Sequence, residues 1–173
     1  MNRLAINGSD LSMRNYLTKA LSKITGIEMI PIPSYSSIAS RYQFEPDEEM
    51  CVWSHSYAYC LGAFTQRIIE EQKRTDSYIS EAGVFNELCW IQFRDVRIES
   101  IYQSPVVSWL EKIAFDYAMN HYDLIFHIDS NDPADLINRY LKRKYEIYKI
   151  NCQIITATTV EDGLNQILAF MQK

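Results

Sequence analysis

Short apolar runs alternate along this chain with stretches whose apolar residues recur every three or four positions. Arg3 to Asn7 reads as a buried strand stopped by Gly8. From Asn15 onward, Leu17, Ala20, Leu21 and Ile24 fall on one helical face, and Gly26 follows as a stop. Glu28 to Pro33 reads as a second strand, its two prolines suiting an end or an edge. A short helix is predicted around Ser37 to Tyr42, then an exposed acidic loop from Glu45 to Glu49. Tyr57, Leu61, Phe64 and Ile68 mark a long helix ending near Arg74, and "SYIS" within Asp76 to Ser80 reads as a third strand. Val84 to Phe93 is predicted helical, and Val107, Leu110, Ala114 and Tyr117 mark a further helix. Tyr122 to Ile128, "YDLIFHI", is the clearest strand. Asp132 before Pro133 has the form of an N-cap and first helical residue, with the helix running through Ile137, Leu141 and Tyr148. Gln153 to Ile155 reads as the last strand. Thr158 with Glu161 predicts a capping box ahead of Leu164, Ile167, Leu168 and Met171.

Strands alternating with helices predict an α/β fold, a three-layer sandwich whose mostly parallel sheet is covered on both faces. Neither a repeat nor a long linker interrupts residues 1–173, so a single domain is expected. Such folds bind ligands outside the carboxyl ends of their strands. That directs attention to Gly8 to Asn15, Pro33 to Ser37, Ser80 to Gly83 and His127 to Asp132.

Composition narrows the class. The chain is 47% hydrophobic and 23% charged, as soluble globular domains are, and its length supports a sizeable core. The sequence has no apolar run long enough to span a bilayer and no basic segment leading into an apolar one, so a cytoplasmic, non-membrane protein is expected. A net charge of −5 argues against a nucleic-acid partner. Cys51, Cys60, Cys89 and Cys152 form no CxxC pair and read as reduced, buried thiols. Cys51 and His55 are four apart, but the second ligand pair of a zinc site is missing. Five glycines make up about 3% of the chain, against an average near 7%, and this scarcity counts against an intact phosphate-cradling loop.

Such a loop would nonetheless sit after the first strand, where "INGSDLSMRNYL" stands. A phosphate-binding loop reads Gly, four residues, Gly, Lys, then Ser or Thr. In that frame Gly8 matches, followed by Ser9, Asp10, Leu11 and Ser12. Met13 replaces the second glycine, Arg14 the lysine and Asn15 the hydroxyl residue. Met13 cannot take the left-handed conformation without a cost of about 1–2 kcal/mol. Arg14 keeps the charge with a larger, planar head. Asn15 offers an oxygen to magnesium, but not a hydroxyl. Asp10 would repel phosphate, while the helix N-terminus would still attract it. The competing reading of these eight residues is an ordinary turn, with Ser12 or Asn15 capping the helix.

The rest of the chain gives that frame a context. "RLAINGSDLSMRNYLTKALSKITG", "IPIPSYSSIASRYQF", "AFTQRIIEEQKRTDSYISEAGVFNELCW", "YDLIFHID" and "CQIITATTVEDGLNQILAFM" follow one another as do the elements of the P-loop ATPase and kinase group. The chain resembles the small-molecule kinases of the ribosylnicotinamide and nucleoside type, by pattern and spacing more than by identities. The resemblance implies a P-loop NTPase-like fold, a nucleotide or nucleoside ligand, and ATP with magnesium. It places nucleotide binding on Gly8, Ser9, Asp10, Ser12, Met13, Arg14 and Asn15, catalysis on Arg14 and Glu81, and metal on Asn15 and Glu81. Departures fall on the catalytic positions. Ser34 to Ser37 stand where the family has a glutamate and an arginine, and Ala82 stands where an arginine follows the acid. The later family aspartate falls near Asn86 or Glu87, and Ser130 to Pro133 leave room for only a very short lid. Phosphoryl transfer depends on positive charge and metal around the transferred group.

Three readings follow: a kinase-like protein that binds or regulates without efficient phosphoryl transfer; a working kinase using Arg14, Asn15 and Glu81 as substitutes; and an α/β interaction module with no nucleotide role. Glu81 could hold magnesium, act as a base or merely cap the next segment. His127 and Asp129 could reach the ligand crevice, or His127 could be a satisfied core residue. Arg139, Lys142, Arg143, Lys144 and Lys149 form a solvated helix face or face an acidic partner. Twelve tyrosines, among them Tyr140, Tyr145 and Tyr148, suggest a contact surface for a protein partner or a second copy.

Overall fold

The computed structural model describes residues 2–42, 53–85, 88–89 and 105–172. The chain runs β1 (Arg3–Gly8), α1 (Leu11–Thr25), β2 (Glu28–Ile30), α2 (Tyr35–Tyr42), α3 (Trp53–Gln72) and β3 (Tyr78–Glu81). It continues through α4 (Pro105–His121), β4 (Leu124–Ile128), α5 (Leu136–Tyr148), β5 (Cys152–Ile155) and α6 (Val160–Met171). The five strands form one parallel sheet in the order β2-β3-β1-β4-β5. This is the expected α/β sandwich.

Strand alternation divides the core into two layers. Leu4, Ile6, Ile79, Phe126 and Ile128 pack against Leu17 and Leu21 of α1 and Ile167 of α6. Ala5, Tyr78 and Ile125 face the other way, onto Phe64 of α3, Leu110 and Phe115 of α4, and Leu141 and Tyr145 of α5. Both faces of every central strand are therefore buried, which is why β1 and β4 read as continuous apolar runs. The helices after β1 and β4, which are neighbours, lie on opposite faces. That makes the carboxyl ends of these two strands a switch point, where this class of fold opens a crevice.

Several helix ends differ from the expectations. α1 begins at Leu11, four residues before Asn15, because Asp10 rather than Ser12 or Asn15 caps it: the Asp10 carboxylate accepts the Met13 N–H at 2.9 Å. Its last turn closes on Gly26, as expected, at φ +70°. α5 is capped by Asp135, which accepts the Asn138 N–H at 2.9 Å, and not by Asp132. Asp132 instead takes the Ala134 N–H, so Pro133 lies in a turn ahead of the helix. α6 is capped by Thr159 through the Asp162 N–H, one residue beyond the predicted Thr158. In each case two or three polar residues compete for one cap, and the winner is the one whose backbone sits extended at the helix boundary. β2 stops at Ile30, ahead of Pro31, which has no N–H to give a ladder.

The acidic stretch Glu45 to Glu49, Cys51, and most of the predicted Val84 to Phe93 helix lie outside the described residues, as does the side chain of His55. No described helix is long and apolar enough to cross a membrane.

Candidate functional site

β1 delivers Gly8 to the switch point in a conformation that requires glycine. Its φ is +142°, and a Cβ there would lie 2.8 Å from the Ile128 carbonyl oxygen and 3.0 Å from the Ile128 Cβ. Only Ser9 and Asp10 separate the strand from α1. Leu11, Ser12, Met13, Arg14 and Asn15 are thus helical. Leu11 and Ser12 are exposed and Met13 is half-buried.

Helical placement carries Arg14 inward. Its side chain is buried, donates to the Gly8 carbonyl oxygen at 2.9 Å and lies 4.0 Å from Glu81 Oε1. Asn15 donates its amide to Glu81 Oε2 at 3.0 Å. Glu81 reaches them because alternation along β3 turns it toward α1, while its neighbour Ser80 turns toward α3. Three of the residues singled out from sequence, Arg14, Asn15 and Glu81, therefore meet in one cluster, with Arg14 and Glu81 buried and Asn15 half-buried.

The strand that holds Glu81 ends in a tight turn. Ala82 and Gly83 have φ values of +64° and +54°. A Cβ on Gly83 would come within 2.8 Å of the Tyr122 hydroxyl. That hydroxyl accepts the Val84 N–H and donates to Glu71, whose carboxylate also takes the Ser80 hydroxyl beside the buried Arg67. Burial raises the Glu71 pKa, against the opposing pull of Arg67, Ser80 and Tyr122. Ala82 is fully buried.

Across β1, a second polar group lies under α5. Asn7 donates to the buried Tyr145 hydroxyl and accepts the Gly8 N–H on its side-chain oxygen. His127 is wholly buried: Nε2 meets Asn138 Oδ1 at 2.6 Å, while Nδ1 has no hydrogen-bond partner. Because Asn138 gives its amide to Asp129 at 2.7 Å, its oxygen must accept, and Nε2 of His127 carries the proton. Burial lowers the His127 pKa. Burial works the other way on Asp129, but hydrogen bonds from Lys142, Asn138 and the Asn131 backbone outweigh it and hold the carboxyl at about 2. His127 is a core residue, and Asp129 is bound to Lys142.

Ser9 donates to Asp135, tying the loop after β1 to the first turn of α5. Asp135, Asn138 and Asn7 carry no signal in the sequence that marks them as site residues. Asp135 with Asn138 has the spacing of a cap and its recipient, but the Asp132-Pro133 pair was the more conspicuous signal. Tyr145, expected on a contact surface, lies in the core against Phe85 and Phe115, whereas Tyr140 and Tyr148 are half-buried on Glu111.

Among the described residues no three His, Cys, Asp or Glu side chains gather as a metal site would require. Cys152 is a free thiol, and burial pushes it up to about 12.

No protein family model and no curated protein matches the chain. Solved structures do. A deoxyadenosine kinase from M. mycoides with bound dATP aligns over 100% of both chains, with a TM-score of 0.63 and 12% identity. A thymidylate kinase from Candida albicans aligns over 99% of this chain and 91% of that one, with a TM-score of 0.58 and 16% identity. A shikimate kinase from Aquifex aeolicus aligns over 98% and 96%, with a TM-score of 0.57 and 13% identity. The chain has the P-loop kinase fold.

Proposed function

We propose that this chain is a kinase-fold binding or regulatory protein that does not carry out efficient phosphoryl transfer. The observation that carries this reading is the use of the loop after β1 by the chain itself. Asp10 places a carboxylate on the α1 N-terminus, where a phosphate would otherwise be drawn by the backbone N–H groups and helix dipole. Arg14, in the frame of the phosphate-binding lysine, donates to Gly8 and lies beside Glu81. With helix starting at Leu11, the frame from Gly8 to Asn15 lacks the length of open backbone that wraps a polyphosphate. ATP with magnesium is therefore a poor fit to these donors. The ligand class most in keeping with the fold is a nucleotide or nucleoside held in the strand-end crevice, without metal.

The runner-up is an ATP-dependent kinase of a nucleoside or related small molecule. Contact among Arg14, Asn15 and Glu81 supports it, since these are the residues such an enzyme would have to use. A turnover assay separates the two. Purified protein with ATP, magnesium and a panel of nucleosides, nucleotides and shikimate is expected to consume no ATP above background. Turnover that vanishes in a folded Arg14→Ala variant would establish the enzyme instead.

A further inference from the structure

The outer face of α5 contributes nothing to the cluster at the strand ends. Leu136, Arg139, Tyr140, Arg143, Lys144 and Ile147 follow one another at helical spacing and line a groove of about 530 Å³. Leu136 is 50% and Ile147 58% exposed, so two large aliphatic side chains stand in solvent at either end. Between them is positive charge. Lys144 is neutralised by Glu111, which also takes the Tyr140 hydroxyl. Arg139 donates to the Pro133 carbonyl, an uncharged acceptor, and among the described residues it forms no ion pair. Arg143, one turn further on, is exposed. The chain as a whole carries −5, so this face runs against the net charge.

We infer that this face docks an acidic amphipathic helix of a protein partner. Complementary charge selects that occupant. Two guanidinium forks one helical turn apart match two carboxylates at i and i+4 on a facing helix, and each fork can bind its carboxylate through two hydrogen bonds. Leu136 and Ile147 are about 16 Å apart along the axis at 1.5 Å per residue, enough to seat apolar residues three turns apart on the incoming helix. Nucleic acid would also meet the arginines, but two bare aliphatic side chains offer a phosphate backbone nothing, and aliphatic anchors are what a helix-in-groove contact uses. The inference goes beyond the proposed function and does not depend on nucleotide binding.

The test uses two labelled helical peptides of about 18 residues with the same leucine spacing, one flanked by glutamates and one by lysines, measured by fluorescence anisotropy. The intact chain is expected to bind the acidic peptide and not the basic one, with affinity falling as salt rises. Arg139→Glu with Arg143→Glu should weaken the acidic peptide at least about tenfold and favour the basic one, and Ile147→Ser should weaken the acidic peptide without reversing the preference. These positions are exposed, and circular dichroism and thermal melting of each variant report that the fold is kept. Binding of neither peptide, equal binding of both, an unchanged preference in the folded double variant, or tighter binding of a single-stranded oligonucleotide overturns the inference.

Discussion

The loop after β1 and the outer face of α5 both carry arginine at a helix, yet they treat it oppositely. Arg14 is buried and turned onto the Gly8 carbonyl and Glu81, and the Asp10 carboxylate covers the N-terminus of the same helix. Arg143 stands in solvent, and Arg139 has an uncharged carbonyl as its hydrogen-bond acceptor. In the first region the charge is engaged inside the fold; in the second it is exposed at the surface.

The sharpest way to break that contrast is at the strand end itself. Gly8→Ala places a Cβ against Ile128 in a backbone conformation that suits only glycine, and should destabilise the fold by about 3 kcal/mol or more, read as a fall in urea midpoint. Gly83→Ala meets the anchored Tyr122 hydroxyl and should cost somewhat less, since that ring can shift. Removing the hydroxyl by Tyr122→Phe leaves the Val84 N–H and a Glu71 oxygen without it, for a loss of about 1–3 kcal/mol.

Asp10→Ala should cost about 1 kcal/mol through the lost cap. It also sharpens the comparison, because it bares the α1 N-terminus: phosphate or sulfate should then stabilise the variant more than the wild type in thermal melts. Equal response of the two proteins would mean that Asp10 is not what closes the site.

The smallest effect expected is a pH slope. His127 is held neutral, with a folded pKa below its unfolded value. The unfolded chain therefore binds the extra proton first, so stability is fully present above about pH 6.5 and declines as pH falls below it. Denaturant midpoints between pH 7.5 and 5.5 should show this decline. It should be shallower in His127→Gln, which can still donate to Asn138.

Much of the architecture was legible because burial on both faces leaves a direct trace: "RLAIN" and the "LIFHI" of "YDLIFHI" are strands, and the spacing of Leu164, Ile167, Leu168 and Met171 marks α6. The helix starts were not. Asp10, Asp135 and Thr159 each stand near rival polar residues, and a cap is chosen by backbone geometry that one-dimensional pattern does not carry. The site was legible as a set of positions and illegible as a network. Asn15 and Glu81 are 66 residues apart, and Asn7 and Tyr145 are 138 apart. Only the register of β1 with β3 and the packing of α5 bring them together.

The most direct test of a loop closed by the chain's own groups is calorimetric titration of ATP into the wild-type protein with and without magnesium. The prediction is no magnesium-dependent binding at millimolar ATP, with any weak nucleotide heat the same in both titrations. Tight binding that needs magnesium and disappears in a folded Arg14→Ala variant would contradict it, and would make Arg14, Asn15 and Glu81 the working site of a kinase.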